Sequence, residues 1–160
     1  MGEIPIGHEG QQAELENSVA DARTTYHEVL APFSLGSEEK KTFNKVEGGP
    51  LQGARKWVDL DQQTYETGQQ LDFGTMKPKA PMVQSHFTDI AHYLVASGEA
   101  GDEAAKFRIL SDALLNEASA WSNSKPLNPN DTSSDESINK FRQQAQILRR
   151  GAQALEKFSA

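Results

Sequence analysis

The chain has 160 residues, the size of one ordinary domain that can bury a core without disulfides or metal ions. Its formal net charge at pH 7 is -7. Because DNA and RNA are bound through clustered Lys and Arg, we expect no nucleic-acid partner. The chain contains no cysteine, which excludes disulfides, thiolate metal ligands and cysteine nucleophiles.

The first residues carry no targeting signal. They lack the basic and apolar regions of a signal peptide, and Ile6 stands where N-myristoylation requires Ser or Thr. No apolar run approaches the roughly 20 residues that cross a bilayer. We therefore expect a cytoplasmic protein with no membrane partner.

Residues 1–10 contain three glycines, one proline and no helical periodicity, so we expect a loose leader. A first helix is predicted over 11–30, ended by Pro32. Its apolar residues recur at steps of three and four, which places them on one stripe because a helix turns every 3.6 residues. They are Leu15, Val19, Ala22, Tyr26 and Val29.

A short helix is predicted from Ser37, as its N-cap, to about Asn44. A turn over 47–50 follows, and Pro50 occupies the first position of a helix that reaches about Leu71. The apolar residues of this helix do not share one stripe. One stripe consists of Leu51, Ala54, Val58 and Tyr65. Three more apolar residues lie beside it on the helix surface: Trp57, Leu60 and Leu71.

Asp61 falls on the stripe of Leu51, Ala54, Val58 and Tyr65, at a position where an apolar residue is expected. Its side chain needs an explanation because burying an unpaired carboxylate is costly. Three interpretations are open. The helix rotates so that Trp57 and Leu60 enter the core, or Asp61 pairs with a buried Arg or His, or Asp61 lines a cleft. The first is the one that the pattern favours.

A loop over 72–79 precedes a fourth helix that begins near Pro81 and is broken at 97–101. Asp102 is predicted to cap a fifth helix. The fourth helix carries Val83, Phe87, Ile90 and Leu94 on one side, and the fifth carries Phe107, Leu110, Leu114 and Trp121.

Residues 122–132 are polar and contain two prolines, so we expect a mobile loop. Ser133 and Glu136 form a capping-box pattern that starts the last helix. Its stripe either packs on the bundle or binds a partner. The stripe consists of Ile138, Phe141, Ala145, Leu148, Ala152 and Leu155.

Taken together, these segments predict an all-α fold. We expect residues 11–160 to form a single-domain, up-and-down bundle of four to five long helices and one short helix.

The residues with the best metal-ligand spacing are His86, Asp89 and His92. Steps of three place neighbours close together on a helix. Di-metal bundles, however, need carboxylates from several helices and repeated Glu-x-x-His motifs, which this chain lacks. We therefore predict neither a metal nor a cofactor, and these three residues remain weak candidates.

Catalytic motifs are absent from the sequence. His27 adjoins Tyr26 and Glu28, but acid–base chemistry needs convergent groups that adjacency alone does not provide. The serines do not fall in G-x-S-x-G or S-x-x-K patterns. We predict no catalytic residue, and the sequence favours a protein that is not an enzyme.

The segment Leu35-Gly36-Ser37-Glu38-Glu39-Lys40-Lys41 precedes Phe43 and Lys45-Val46. It resembles a segment of small bacterial helical proteins, of Leu-Thr-Pro-Glu-Glu-Arg-Lys type ending in Lys-Met-Gly. The chain departs from that pattern at 36–37 and at 46–47. Since the group has no assigned activity, the resemblance implies a helical bundle and no site.

Helical bundles with a free apolar stripe commonly self-associate or hold a partner helix. The sequence therefore predicts an interaction or assembly module, bound to a protein partner or to a second copy. The alternative is a bundle that binds a small molecule or metal through Asp61 or the His86 region, with or without enzymatic activity. A core cavity with converging polar groups distinguishes the two.

Overall fold

The periodic apolar segments form helices throughout the part of the chain that the structure describes. The computed structural model describes residues 6–67, 86–99, 101–124 and 133–159, without the side chains of 6–9, 65–67, 123–124, 133–134 and 159. These residues contain no strand, so the predicted all-α fold is confirmed. The helices are α1 (Ile6–Leu30), α2 (Ser37–Asn44), α3 (Pro50–Thr67), α4 (Phe87–Ser97), α5 (Glu103–Ser124) and α6 (Ser133–Ser159), with a 3-10 turn, Ala31–Phe33, after α1.

The helices pack as a bundle in which α3, α4, α5 and α6 alternate in direction, whereas α1 is parallel to α3. Arg108 of α5 bonds to Glu156 of α6, whereas Trp121 contacts Phe141, so these two helices are antiparallel. Side-chain contacts of the same kind show that α1 and α3 are parallel to α5. Contacts between α3 and α4 show that these two are antiparallel, so α4 is parallel to α6. The most extensive contacts join α6 to α5 and to α1. None of the described helices is both long and apolar enough to span a membrane.

The predicted stripes of α1, α5 and α6 form one hydrophobic core with residues of α3 and α4. Leu148, in the middle of α6, is fully buried, so the last helix packs on the bundle. Among the described side chains, the large apolar ones that are exposed are Leu60 and Phe158, each at 46%. The core members from the three stripes are Ala22, Tyr26, Phe107, Leu110, Leu114, Ala145, Leu148 and Ala152.

A glycine allows α1 and α6 to approach closely. A Cβ atom on Gly151 would lie 2.2 Å from the Cβ of Ala22 and 3.1 Å from the carbonyl oxygen of Ser18. Both distances are shorter than normal van der Waals contact. Residue 151 must therefore lack a side chain for the two helices to keep this spacing.

Two helices are longer than predicted. α1 begins at Ile6, so the predicted leader over 1–10 is helical from that residue. Glycines such as Gly7 and Gly10 lower helix propensity by only about 1 kcal/mol each, which does not prevent a helix. α5 continues to Ser124, into the predicted loop over 122–132. Its last turns are held because the Trp121 indole N–H donates to Glu117 and its ring packs on Phe141.

Two helix starts also differ from the prediction. The N-cap of α2 is Gly36 and not Ser37, and the Glu39 carboxylate accepts the backbone N–H of Gly36. The fourth helix does not continue through His86, which is the N-cap of α4. Its predicted start at Pro81, the loop over 72–79 and the rest of the loop over 122–132 lie outside the described residues. The predicted cap of α5 is confirmed, because Asp102 Oδ1 accepts the Ala104 N–H at 2.9 Å.

Candidate functional site

The three candidate metal ligands do not point to one place in the structure. His86 precedes α4, Asp89 is exposed in the first turn of α4, and the His92 ring packs between Phe33 and Phe43. No group of three or more potential ligands is positioned to hold a metal ion among the described residues.

Asp61 is buried and pairs with His86. Only 3% of the Asp61 residue is exposed. Its Oδ2 accepts the backbone N–H of His86 at 2.9 Å, and its Oδ1 lies 2.6 Å from His86 Nδ1. The favoured interpretation, in which Leu60 enters the core, is therefore wrong, because Leu60 is 46% exposed. The second interpretation, pairing with a histidine, is confirmed.

This Asp61–His86 pair has a defined chemistry. An ionised carboxylate only accepts hydrogen bonds, so Nδ1 of His86 is the donor in the 2.6 Å contact with Asp61 Oδ1. The Trp57 ring stacks on the imidazole, with centroids 4.2 Å apart and an interplanar angle of 27°. Because Asp61 also binds the first backbone N–H before α4, the pair ties α3 to the start of that helix.

A second group of polar residues surrounds a cleft of about 410 Å³ that the sequence did not predict. We call it the Tyr26 cleft. One wall is α1, a second is α5, and the third is the connection between α4 and α5, where Gly98 and Gly101 adopt positive φ. The side chains that line the two helical walls are Arg23, Tyr26, His27, Glu103, Lys106 and Phe107.

Tyr26 carries a polar group without a hydrogen bond. Its residue is 9% exposed, and its Oη is closed off from solvent and forms no hydrogen bond of acceptable geometry among the described residues. The adjacent Ser97 hydroxyl donates its own proton to Leu94 O at 2.6 Å. Burial raises the pKa of Tyr26 far above its ordinary value, and the opposing effect of hydrogen bonding to the Ser97 side chain is smaller. The hydroxyl is thus a neutral donor at physiological pH.

Lys106 is a buried cation in the same cleft. It is 6% exposed, and its Nζ donates to the Gly98 carbonyl oxygen at 2.8 Å. An ammonium group has three N–H donors, so two remain available. Within the described part of the chain, Lys106 makes no ion pair shorter than 4.0 Å.

The rim of the cleft is charged but nearly balanced. Arg23 binds Glu103 through two hydrogen bonds of 2.8 Å. The hydrogen bond from Arg23 holds the pKa of Glu103 below its ordinary value, and the charges of Arg23, Lys106 and His27 add to this effect. His27 and Glu99 complete the exposed rim.

A shallower groove of about 340 Å³ lies between α5 and α6. It is lined on α6 by exposed amide side chains and by Arg142 and Arg149. At its floor, the Ser111 hydroxyl donates to the Ala145 carbonyl oxygen at 2.8 Å. The buried Ser111 hydroxyl therefore has a hydrogen-bond partner, unlike the Tyr26 hydroxyl.

The sequence contained one signal for the Tyr26 cleft. Tyr26 belongs to an apolar stripe although its side chain bears a hydroxyl, and Lys106 adjoins Phe107, a residue of the α5 stripe. A polar group at a core position requires a partner, as it does for Asp61. The same rule predicts a buried polar site at Tyr26 and Lys106.

With this geometry established, we compared the chain with other proteins. Neither family models nor curated proteins nor solved structures give a significant match.

Proposed function

We propose that the protein binds a small polar molecule in the Tyr26 cleft. The observation that carries this proposal is the buried ammonium group of Lys106, which lines the cleft, donates one N–H to Gly98 O and forms no ion pair within 4.0 Å among the described residues. Burying a cation without a paired anion is unfavourable. A bound molecule that accepts a hydrogen bond from Lys106 Nζ offsets that cost, and the cleft volume falls in the range of small-molecule sites.

The packing of α6 supports ligand binding over assembly through a free apolar stripe. The α6 stripe is already covered by α5 and α1, and its central residue Leu148 is fully buried. A helical bundle binds a partner helix through such a stripe only where the stripe is uncovered. The distinguishing feature, a cavity with converging polar groups, favours the ligand-binding alternative.

Protein interaction remains a second candidate function because of one surface feature. Leu60 is 46% exposed and lies one helical turn from Trp57, whose ring stacks on the partly exposed His86. Partly exposed tryptophan side chains commonly anchor protein interfaces. A Leu60→Ser variant is expected to lose self-association or capture by a protein partner, measured by sedimentation and pull-down.

A ligand screen tests the cleft. Purified protein is exposed to millimolar amino acids, organic acids, sugars and nucleosides, and thermal midpoints and NMR spectra are recorded. We expect at least one compound to raise the midpoint and to shift the resonances of Tyr26 and Phe107. Lys106→Met should weaken that response, whereas Lys140→Met, on the exposed surface of α6, should not. A panel without any response at Tyr26 and Phe107 would refute the proposal.

A further inference from the structure

We propose that the groove between α5 and α6 receives the acidic outer face of α1 from a second copy of the chain. This groove shares no lining residue with the Tyr26 cleft, so the proposal does not depend on ligand binding there. It follows from the charge of α6, from the arginines of the groove and from the spacing of acidic residues on α1.

Charge is unevenly distributed along the chain. Residues 138–160 contain five basic residues and one acidic residue, a formal charge of +4, so residues 1–137 carry -11. All five basic residues lie on α6 and are exposed: Lys140, Arg142, Arg149, Arg150 and Lys157. The last helix therefore presents a basic surface on an otherwise acidic protein, and such a surface attracts acidic ones.

The groove contains two arginines that can bind carboxylates. Within the described part of the chain, Arg142 forms no ion pair shorter than 4.0 Å, and the one ion pair of Arg149 is a 3.7 Å contact with Asp112. The two arginines are seven residues apart, so they are separated by about 10 Å along the helix axis. Three exposed amide side chains line the same groove: Asn139, Gln143 and Gln146.

The outer face of α1 carries acidic residues with the same spacing. Glu14, Asp21 and Glu28 are exposed and recur every seven residues, which keeps them close to one line along the helix. Among the described residues, none of the three forms an ion pair shorter than 4.0 Å. Two successive carboxylates of one copy can therefore bind Arg142 and Arg149 of another copy at the same time.

The groove suits an acidic helix better than a nucleic acid. Its described lining residues include no aromatic side chain, whereas single-stranded nucleic acids are held by bases that stack on aromatic rings. The charge of -11 on the rest of the chain also repels a polyanion. Exposed charge pairs contribute at most about 1 kcal/mol each, so the association of two copies is weak and depends on salt.

Sedimentation of the full chain at about 0.02 M and 0.5 M salt tests the proposal. We expect the native protein to self-associate at low salt and at least about tenfold more weakly at high salt. Two double variants, Arg142→Glu/Arg149→Glu and Glu14→Lys/Asp21→Lys, should each weaken self-association at low salt by about tenfold or more. Lys40→Glu/Lys56→Glu, at exposed positions of α2 and α3, changes the net charge as much as the arginine variant does and should retain self-association.

An equimolar mixture of the two double variants is the decisive measurement. The reversed groove of one variant then faces the reversed α1 of the other, so the mixture should form the complex that neither variant forms alone. Circular dichroism verifies that both variants are folded. A mixture without a complex would overturn the proposal.

Native protein that stays monomeric at low salt would also overturn it. Binding of a labelled oligothymidine that the arginine variant loses would then assign the groove to a nucleic acid.

Discussion

Replacing Asp61 with alanine removes the acceptor of two hydrogen bonds that join α3 to the start of α4. One donor is the backbone N–H of His86 at 2.9 Å, and the other is His86 Nδ1 at 2.6 Å. Hydrogen bonds to a charged group contribute about 1.5–3 kcal/mol each. Part of that sum is offset because a carboxylate no longer has to be buried. We expect Asp61→Ala to lower the free energy of unfolding by about 2–4 kcal/mol.

Urea unfolding followed by circular dichroism measures this loss. Asp61→Asn is expected to lie between native and Asp61→Ala, because the amide oxygen still accepts from the His86 backbone. Asp21→Ala, at an exposed position of α1, serves as the control and should change stability by less than about 0.5 kcal/mol. If Asp61→Ala unfolds at the native midpoint with an unchanged slope, the pair does not hold α3 to α4 and the reasoning is refuted.

Three further predictions concern the helix contacts. Gly151→Ala should destabilise the protein by about 1–3 kcal/mol in urea titrations, because the new Cβ meets Ala22 at 2.2 Å; an unchanged midpoint would show that α1 and α6 can separate freely. Leu148→Ala should cost about 2–5 kcal/mol because the side chain is fully buried, and a lost self-association in sedimentation at full stability would instead make α6 an interaction surface. Glu103→Gln should reduce the fall in the free energy of unfolding that occurs as the pH is lowered through the acidic range. Arg23 holds the folded-state pKa of Glu103 low, so this stabilisation is present above the ordinary carboxyl pKa and lost as pH falls below it. Both side chains are substantially exposed, so the effect stays below about 1 kcal/mol, and an identical fall in the variant would contradict it.

The core could be predicted from the sequence because helical spacing is a local property. The stripes through Ala22, Leu110 and Leu148 each follow from residues within one helix, and all three are buried as expected. Each stripe predicts which face is buried and carries no information about which helix covers it. The all-α fold and the covered face of α6 therefore followed from the pattern, whereas the helix pairs did not.

The candidate site depends on contacts between residues far apart in sequence. Asp61 and His86 are 25 positions apart, and their pairing requires α3 to run antiparallel to α4. Arg23 and Glu103 are 80 positions apart, and they meet because α1 and α5 run in the same direction. No local pattern specifies such pairs. The buried hydroxyl and ammonium groups of the Tyr26 cleft are detectable in sequence only as polar atoms at or beside apolar positions.

The pairing of α1 with α6 also constrains how the chain folds during synthesis. Of the described helices, α1 leaves the ribosome first and α6 last, yet α6 provides the cover for the apolar stripe around Ala22. At translation rates of about 5–20 residues per second, that stripe lacks its native cover for on the order of 10 s. A nascent chain interrupted before Ser133 therefore presents an uncovered apolar helix, which is the kind of surface that chaperones and proteases recognise.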